Sequence, residues 1–139
     1  MRFVDTNILL YAISRDPGER TKAAQANALL DGGDIALSIQ VLQEFYVQAT
    51  RASRPDAITH EQAAGLIESW SRFPVQTTTM DILRSALATR QRFGISLWDA
   101  AIIEAGRSLS CTVVLSEDLG RSTDYDGLQV ENPFADVAA

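Results

Sequence analysis

The chain has 139 residues, 46% of them apolar and 22% charged. That balance fits a globular protein with a single domain spanning residues 1–139 and excludes a disordered chain. No apolar run approaches the roughly 20 residues that a bilayer-crossing helix needs. Met1-Arg2-Phe3-Val4 also meets Asp5 without the apolar stretch of a signal peptide, so a cytoplasmic protein with no membrane association is expected. The one cysteine, Cys111, lies beside Val113-Val114-Leu115 and is expected as a small buried filler. A net charge of −6 argues against gripping nucleic acid through a broad basic face.

In chain order, short β-like runs alternate with helical ones. Residues 2–5 read as a strand ending at Asp5, and residues 7–14 as a short helix closed by Asp16-Pro17-Gly18. A second helix over residues 19–30 stops at Gly32-Gly33, and Ile35-Ala36-Leu37 is a second strand. Ser38 caps a helix running to about residue 52, with Ile39, Leu42, Phe45, Tyr46 and Ala49 on one stripe. A loop over residues 51–55 leads to a helix over 59–70, opened by the capping box Thr59…Gln62. Residues 73–77 read as a short strand, and residues 79–93 as a helix that ends at Gly94. Ser96 opens the next helix, whose apolar stripe is Trp98, Ile102, Ala105 and Leu109; this places Trp98 in the core. Residues 112–116 form the strongest strand signal, and residues 128–131 a last short strand before Asn132-Pro133. Strands separated by helical crossovers predict an α/β fold with a parallel sheet of four to five strands and helices on both faces.

In such a sheet the carboxyl ends of the strands line the ligand crevice. Asp5 and Asp118 follow the first and fourth strands, and Asp99 in the first turn of a crossover helix falls on the same edge. Each has an ordinary explanation as well. Asp5 and Asp99 suit helix N-termini, and Asp118 with its neighbour Glu117 suits a turn. Glu44, opposite the Phe45/Tyr46 stripe, reads on its own as a solvated helix residue. Carboxylates crowded into one crevice repel and tend to take up protons. A hard cation such as Mg²⁺ or Mn²⁺ relieves that repulsion, and a metal-bound water is the nucleophile of phosphodiester hydrolysis. Without Asp5, Glu44, Asp99 and Asp118 the chain carries a net −2, so much of the acidity belongs to this one group.

Other chemistries have less support. His60 is the only histidine, which excludes zinc sites built on several His or Cys ligands and leaves nucleophilic triads without a local signal. Walker and Gly-x-Gly-x-x-Gly loops are absent. An aspartate-nucleophile phosphatase wants a second Asp where Asn7 stands. It and a phosphoryl-accepting signalling domain both want a lysine at the site, whereas the sole one, Lys22, is expected in a helix away from any strand end.

Four stretches together resemble the PIN-domain ribonucleases, and within them the VapC-type toxins of bacterial toxin–antitoxin pairs. They are Phe3-Val4-Asp5-Thr6-Asn7-Ile8-Leu9-Leu10-Tyr11-Ala12, Ser38-Ile39-Gln40-Val41-Leu42-Gln43-Glu44-Phe45-Tyr46, Ser96-Leu97-Trp98-Asp99-Ala100-Ala101-Ile102-Ile103 and Val114-Leu115-Ser116-Glu117-Asp118-Leu119. The closing Asp126-Gly127-Leu128…Asn132-Pro133-Phe134 is similar too. The resemblance implies a PIN fold and Mg²⁺- or Mn²⁺-dependent cleavage of RNA by metal-activated water. It implies Asp5, Asp99 and Asp118 as metal ligands, with Glu44 orienting a metal-bound water or ligating directly. Thr6, Asn7, Ser116 and Glu117 become supporting residues, Glu117 being a rival of Asp118 for the fourth acidic position. Homodimers and a cognate VapB-type antitoxin are further implications. The alternative is a PIN-like module that binds RNA or a protein without catalysis.

Overall fold

A computed structural model describes residues 1–119 and 123–135. Its elements run β1 (Arg2–Val4), α1 (Thr6–Ala12), a 3₁₀ turn (Pro17–Glu19), α2 (Arg20–Gly32), β2 (Ile35–Ser38), α3 (Ile39–Ala49) and α4 (His60–Trp70). They continue with β3 (Val75–Gln76), α5 (Met80–Phe93), α6 (Leu97–Ser108), β4 (Val113–Leu115), β5 (Asp124–Tyr125) and β6 (Leu128–Glu131). The local signals explain most boundaries. The Ser38 and Ser96 hydroxyls accept the N3 amides of α3 and α6, and Thr59 and Gln62 close a full capping box on α4. Gly94 ends α5 at φ 67°, a left-handed cap that costs glycine nothing.

Among the described residues the sheet has six strands in the order β3-β2-β1-β4-β6-β5, not the four to five expected. The additional strand is β5, which pairs antiparallel with β6; every other pairing is parallel. Asp126 and Gly127, at φ 54° and 91°, make the two-residue turn between them. An Asp-Gly pair between short apolar runs is a standard hairpin signal, and it was present in the sequence.

All four residues of β2 are buried, as are Phe3, Val4, Val114 and Leu115 of the central strands, so both faces of the sheet are covered. Helix α6 packs on α5 and on β2, β3 and β4, while α1 packs with α2 and α3. Gly106 of α6 brings its backbone close to β1. A Cβ there would lie 3.2 Å from Phe3 Cβ. Helix α4 is anchored by Trp70, which meets Phe45 edge-on with ring centroids 4.8 Å apart. Cys111 is buried, as expected, and burial pushes its thiol pKa up. Among the described residues no helix is long and apolar enough to cross a membrane.

Strand order reverses between β1 and β4. From β1 the chain crosses to β2 on one side, and it returns later to lay β4 on the other. That switch point opens a crevice at the carboxyl ends of the two strands.

Candidate active site

Asp5 sits at the end of β1, where its amide continues the ladder to the Leu115 carbonyl at 3.0 Å and its side chain caps α1. One carboxylate oxygen accepts the Thr6 amide at 2.7 Å, and the other accepts the Ser116 hydroxyl at 2.7 Å. Both the residue and this hydroxyl are buried. Burial pushes the Asp5 pKa from 3.8 up to about 6. The Ser116 and Thr6 hydrogen bonds pull the other way, and the charges of Asp118 and Glu44 add to the rise.

The remaining acids reach the same crevice from three other segments. An open cleft of roughly 220 Å³ is lined by Asp5, Glu44, Asp99 and Asp118, with Thr6 and Asn7 between them. Glu44 is not a freely solvated helix residue. It accepts the Thr6 hydroxyl at 3.0 Å and the Gln40 amide, one turn back on α3, at 3.1 Å. Asn7 donates to Asp118 at 2.9 Å and to the Ser116 hydroxyl at 3.2 Å, joining the ends of β1 and β4. Asp99 stands at N3 of α6, its amide bound by the Ser96 cap at 3.1 Å, which aims the first turn at the sheet edge. Thr6, Asn7 and Ser116 thus contact the acids directly.

Glu117 goes elsewhere. Its carboxylate takes Lys22 Nζ at 2.5 Å and the Tyr11 hydroxyl at 2.6 Å, and Lys22 lies over the Tyr11 and Phe134 rings. Burial pushes the Glu117 pKa up, but the Lys22 and Tyr11 hydrogen bonds and the Lys22 charge outweigh it and hold the carboxyl low. Glu117 is therefore compensated within the fold, and Asp118 is the neighbour that faces the cleft. Lys22 accordingly reaches the end of β4, contrary to its expected place away from strand ends, though it is paired there with Glu117.

Two residues depart from the reading of the sequence. Gln40 stands in one of the stretches that resemble the family but is given no role there, yet its amide also reaches the Trp98 carbonyl at 3.2 Å and so ties Glu44 to α6. Trp98 is not core. Its side chain is 66% exposed on the wall of the cleft, because burial along α6 begins only at Ala100. Apolar periodicity names a helix face but not how far the core extends along it. His60 pairs with the Tyr46 hydroxyl at 2.9 Å.

The donor set in the cleft is all oxygen, which suits a hard divalent ion in chemistry. Asp5, buried and with its pKa raised, is the group that such an ion would relieve. Among the described residues, no three Asp, Glu, His or Cys side chains stand close enough together to enclose an ion as they are.

No curated protein matches the chain in sequence. Solved structures do match in fold. A toxin–antitoxin complex from Klebsiella pneumoniae is similar at 21% identity and TM-score 0.69, over 96% of this chain and 98% of that one. Mycobacterium tuberculosis VapC20, a sarcin–ricin loop cleaving toxin, is similar at 21% identity and TM-score 0.65, over 85% and 90% of the two chains. VapBC2 from Rickettsia felis, bound to a DNA fragment from its promoter, is similar at 20% identity and TM-score 0.64, over 94% and 97%. The profile of the PIN domain family matches residues 2–121. With that match over most of its length, and with its acids gathered at the β1/β4 switch point, the chain belongs to the PIN domain family.

Proposed function

We propose that the protein is a divalent-metal-dependent endoribonuclease that acts as the toxin of a toxin–antitoxin pair. The observation that carries this reading is the convergence of Asp5, Glu44, Asp99 and Asp118 on one open cleft, with Asp5 buried and its pKa raised to about 6. Asp5, Asp99 and Asp118 would hold Mg²⁺ or Mn²⁺. A bound ion supplies charge neutralisation at the phosphate and lowers the pKa of a coordinated water.

The chain's own residues do the positioning. Ser116 and Thr6 fix the Asp5 carboxylate through both oxygens, and Asn7 sets Asp118. Glu44, held by Thr6 and Gln40, keeps a carboxylate at the cleft as a proton acceptor for the attacking water.

An antitoxin partner is supported by the fold's likeness to toxins solved in toxin–antitoxin complexes. It is supported further by an apolar groove between α3 and α4, lined by Ile39, Leu42, Tyr46, Val47 and Ile67, of a kind that accepts an amphipathic helix. A homodimer in the cytoplasm completes the reading.

The decisive test is an RNA cleavage assay with Mg²⁺ or Mn²⁺, with and without EDTA, on the wild type, Asp5→Asn and Asp99→Asn. Metal-dependent cleavage lost in both variants is the expected result. Equal cleavage by all three would overturn the proposal in favour of a module that only binds. For the toxin role, induced expression arrests growth and Asp5→Asn relieves the arrest. Unaltered growth with soluble wild-type protein would refute that role.

A further inference from the structure

Trp98 is the most exposed large apolar side chain on the described surface, at 66%. It occupies the second position of α6, next to Asp99, and forms part of the wall of the acidic cleft. Its carbonyl is pinned by Gln40, the residue that also holds Glu44, so the backbone carrying the indole is tied to the acidic cluster. Trp98 also borders a second, smaller cleft lined by Gln40, Thr77, Thr78 and Leu83.

We propose that Trp98 is a stacking platform for an unpaired nucleobase beside the phosphodiester held in the acidic cleft. This rests on reading the cleft as an RNA-cleaving site and adds a base-contacting residue to it. A chain of net charge −6 gains little from attraction to phosphate. Stacking on an aromatic ring is largely indifferent to charge and to base identity, because every base has a π-face. A ring held open beside the acids supplies the affinity that electrostatics withholds here.

The chain carries its own probe. Its only other tryptophan, Trp70, is 5% exposed and packed on Phe45, so a ligand-induced change in tryptophan emission reports Trp98. The full chain is titrated in EDTA with an unstructured RNA oligonucleotide, with the same backbone lacking bases, and with inorganic phosphate. RNA is expected to quench the emission, and the other two to leave it unchanged. Trp98→Ala should weaken RNA binding about tenfold, and Trp98→Phe should stay within about threefold of wild type, as one stacked base implies.

Absence of quenching by RNA, equal quenching by the abasic strand, or unchanged affinity in Trp98→Ala would each overturn the proposal. So would a Trp98→Ala variant that sediments as monomers where the wild type is a dimer, with RNA affinity unaltered; the ring would then be covered by a second copy. Binding is read without catalysis, so the two readings fail separately. Stacking without metal-dependent cleavage would uphold this inference and remove the nuclease.

Discussion

The buried Asp5 makes a quantitative prediction about the metal-free protein. Its carboxyl has a pKa of about 6 in the fold against 3.8 unfolded. Between those values the folded chain holds a proton that the unfolded chain has released. Stability contributed by the protonated group is therefore complete below pH 3.8 and is lost as pH rises through about 6. A difference of about two pH units at 1.36 kcal/mol each makes the ionised Asp5 cost about 3 kcal/mol at neutral pH. Asp5→Asn removes that charge. Its carbonyl oxygen still accepts the Thr6 amide, but the Ser116 hydroxyl loses its carboxylate acceptor, which costs about 1 kcal/mol. The variant should therefore be about 2 kcal/mol more stable than wild type in EDTA at pH 8. For a domain of this size that is roughly 6–8 °C in Tm. At pH 4 the advantage should fall to zero or below. Thermal denaturation of both proteins across this pH range, with EDTA throughout, checks it. A Tm difference independent of pH, or a variant less stable at pH 8, would refute the reasoning. Added Mn²⁺ should raise the wild-type Tm by mass action and leave the variant nearly unmoved, narrowing the gap.

The two adjacent acids after β4 should behave differently. Glu117→Gln lowers stability in urea unfolding through loss of the Lys22 pairing, only modestly because the pair is solvent-screened, yet leaves metal-dependent cleavage within about threefold of wild type. Asp118→Asn should spare stability and cut cleavage by tenfold or more; the reverse pattern would exchange their roles. Ser116→Ala removes a donor to the charged form of Asp5, so the acidic limb of the pH–activity profile should move to higher pH. An unmoved limb would show that Asp5 does not govern it. Gly106→Ala should destabilise by about 1–2 kcal/mol in urea unfolding. The new methyl meets Phe3 on a central strand, and improved helix propensity offsets only part of that cost.

Much of this was legible in the order of residues, for reasons that are local. Capping serines and threonines, the left-handed glycine after α5 and the β-branched run at Val113-Val114 act within a few residues of themselves. Whether Asp5 and Asp118 share a crevice depends on β1 pairing with β4, more than a hundred residues away, and spacing does not encode it. Of the acids, Glu44 was the least visible on its own. The family resemblance names Thr6 as a supporting residue but gives Gln40 no role, and both hold Glu44 in the cluster. Trp98 shares the apolar stripe of α6 and still lies outside the core, because alternation along a helix tells direction but not depth. The β5–β6 hairpin is marked in the sequence only by Asp126-Gly127, because a two-residue strand carries no periodicity of its own.

The sheet closes on a pair of very short strands. Its outermost members are β3 and β5, each of two residues, so the described sheet presents almost no free row of amides and carbonyls on either side. A strand from another polypeptide has little to zip onto, which protects the protein from runaway edge-to-edge polymerisation. The same feature constrains how it can associate at all. Whatever docks on it, a second copy or an inhibitor, must seat against side chains on the helices and not extend the sheet.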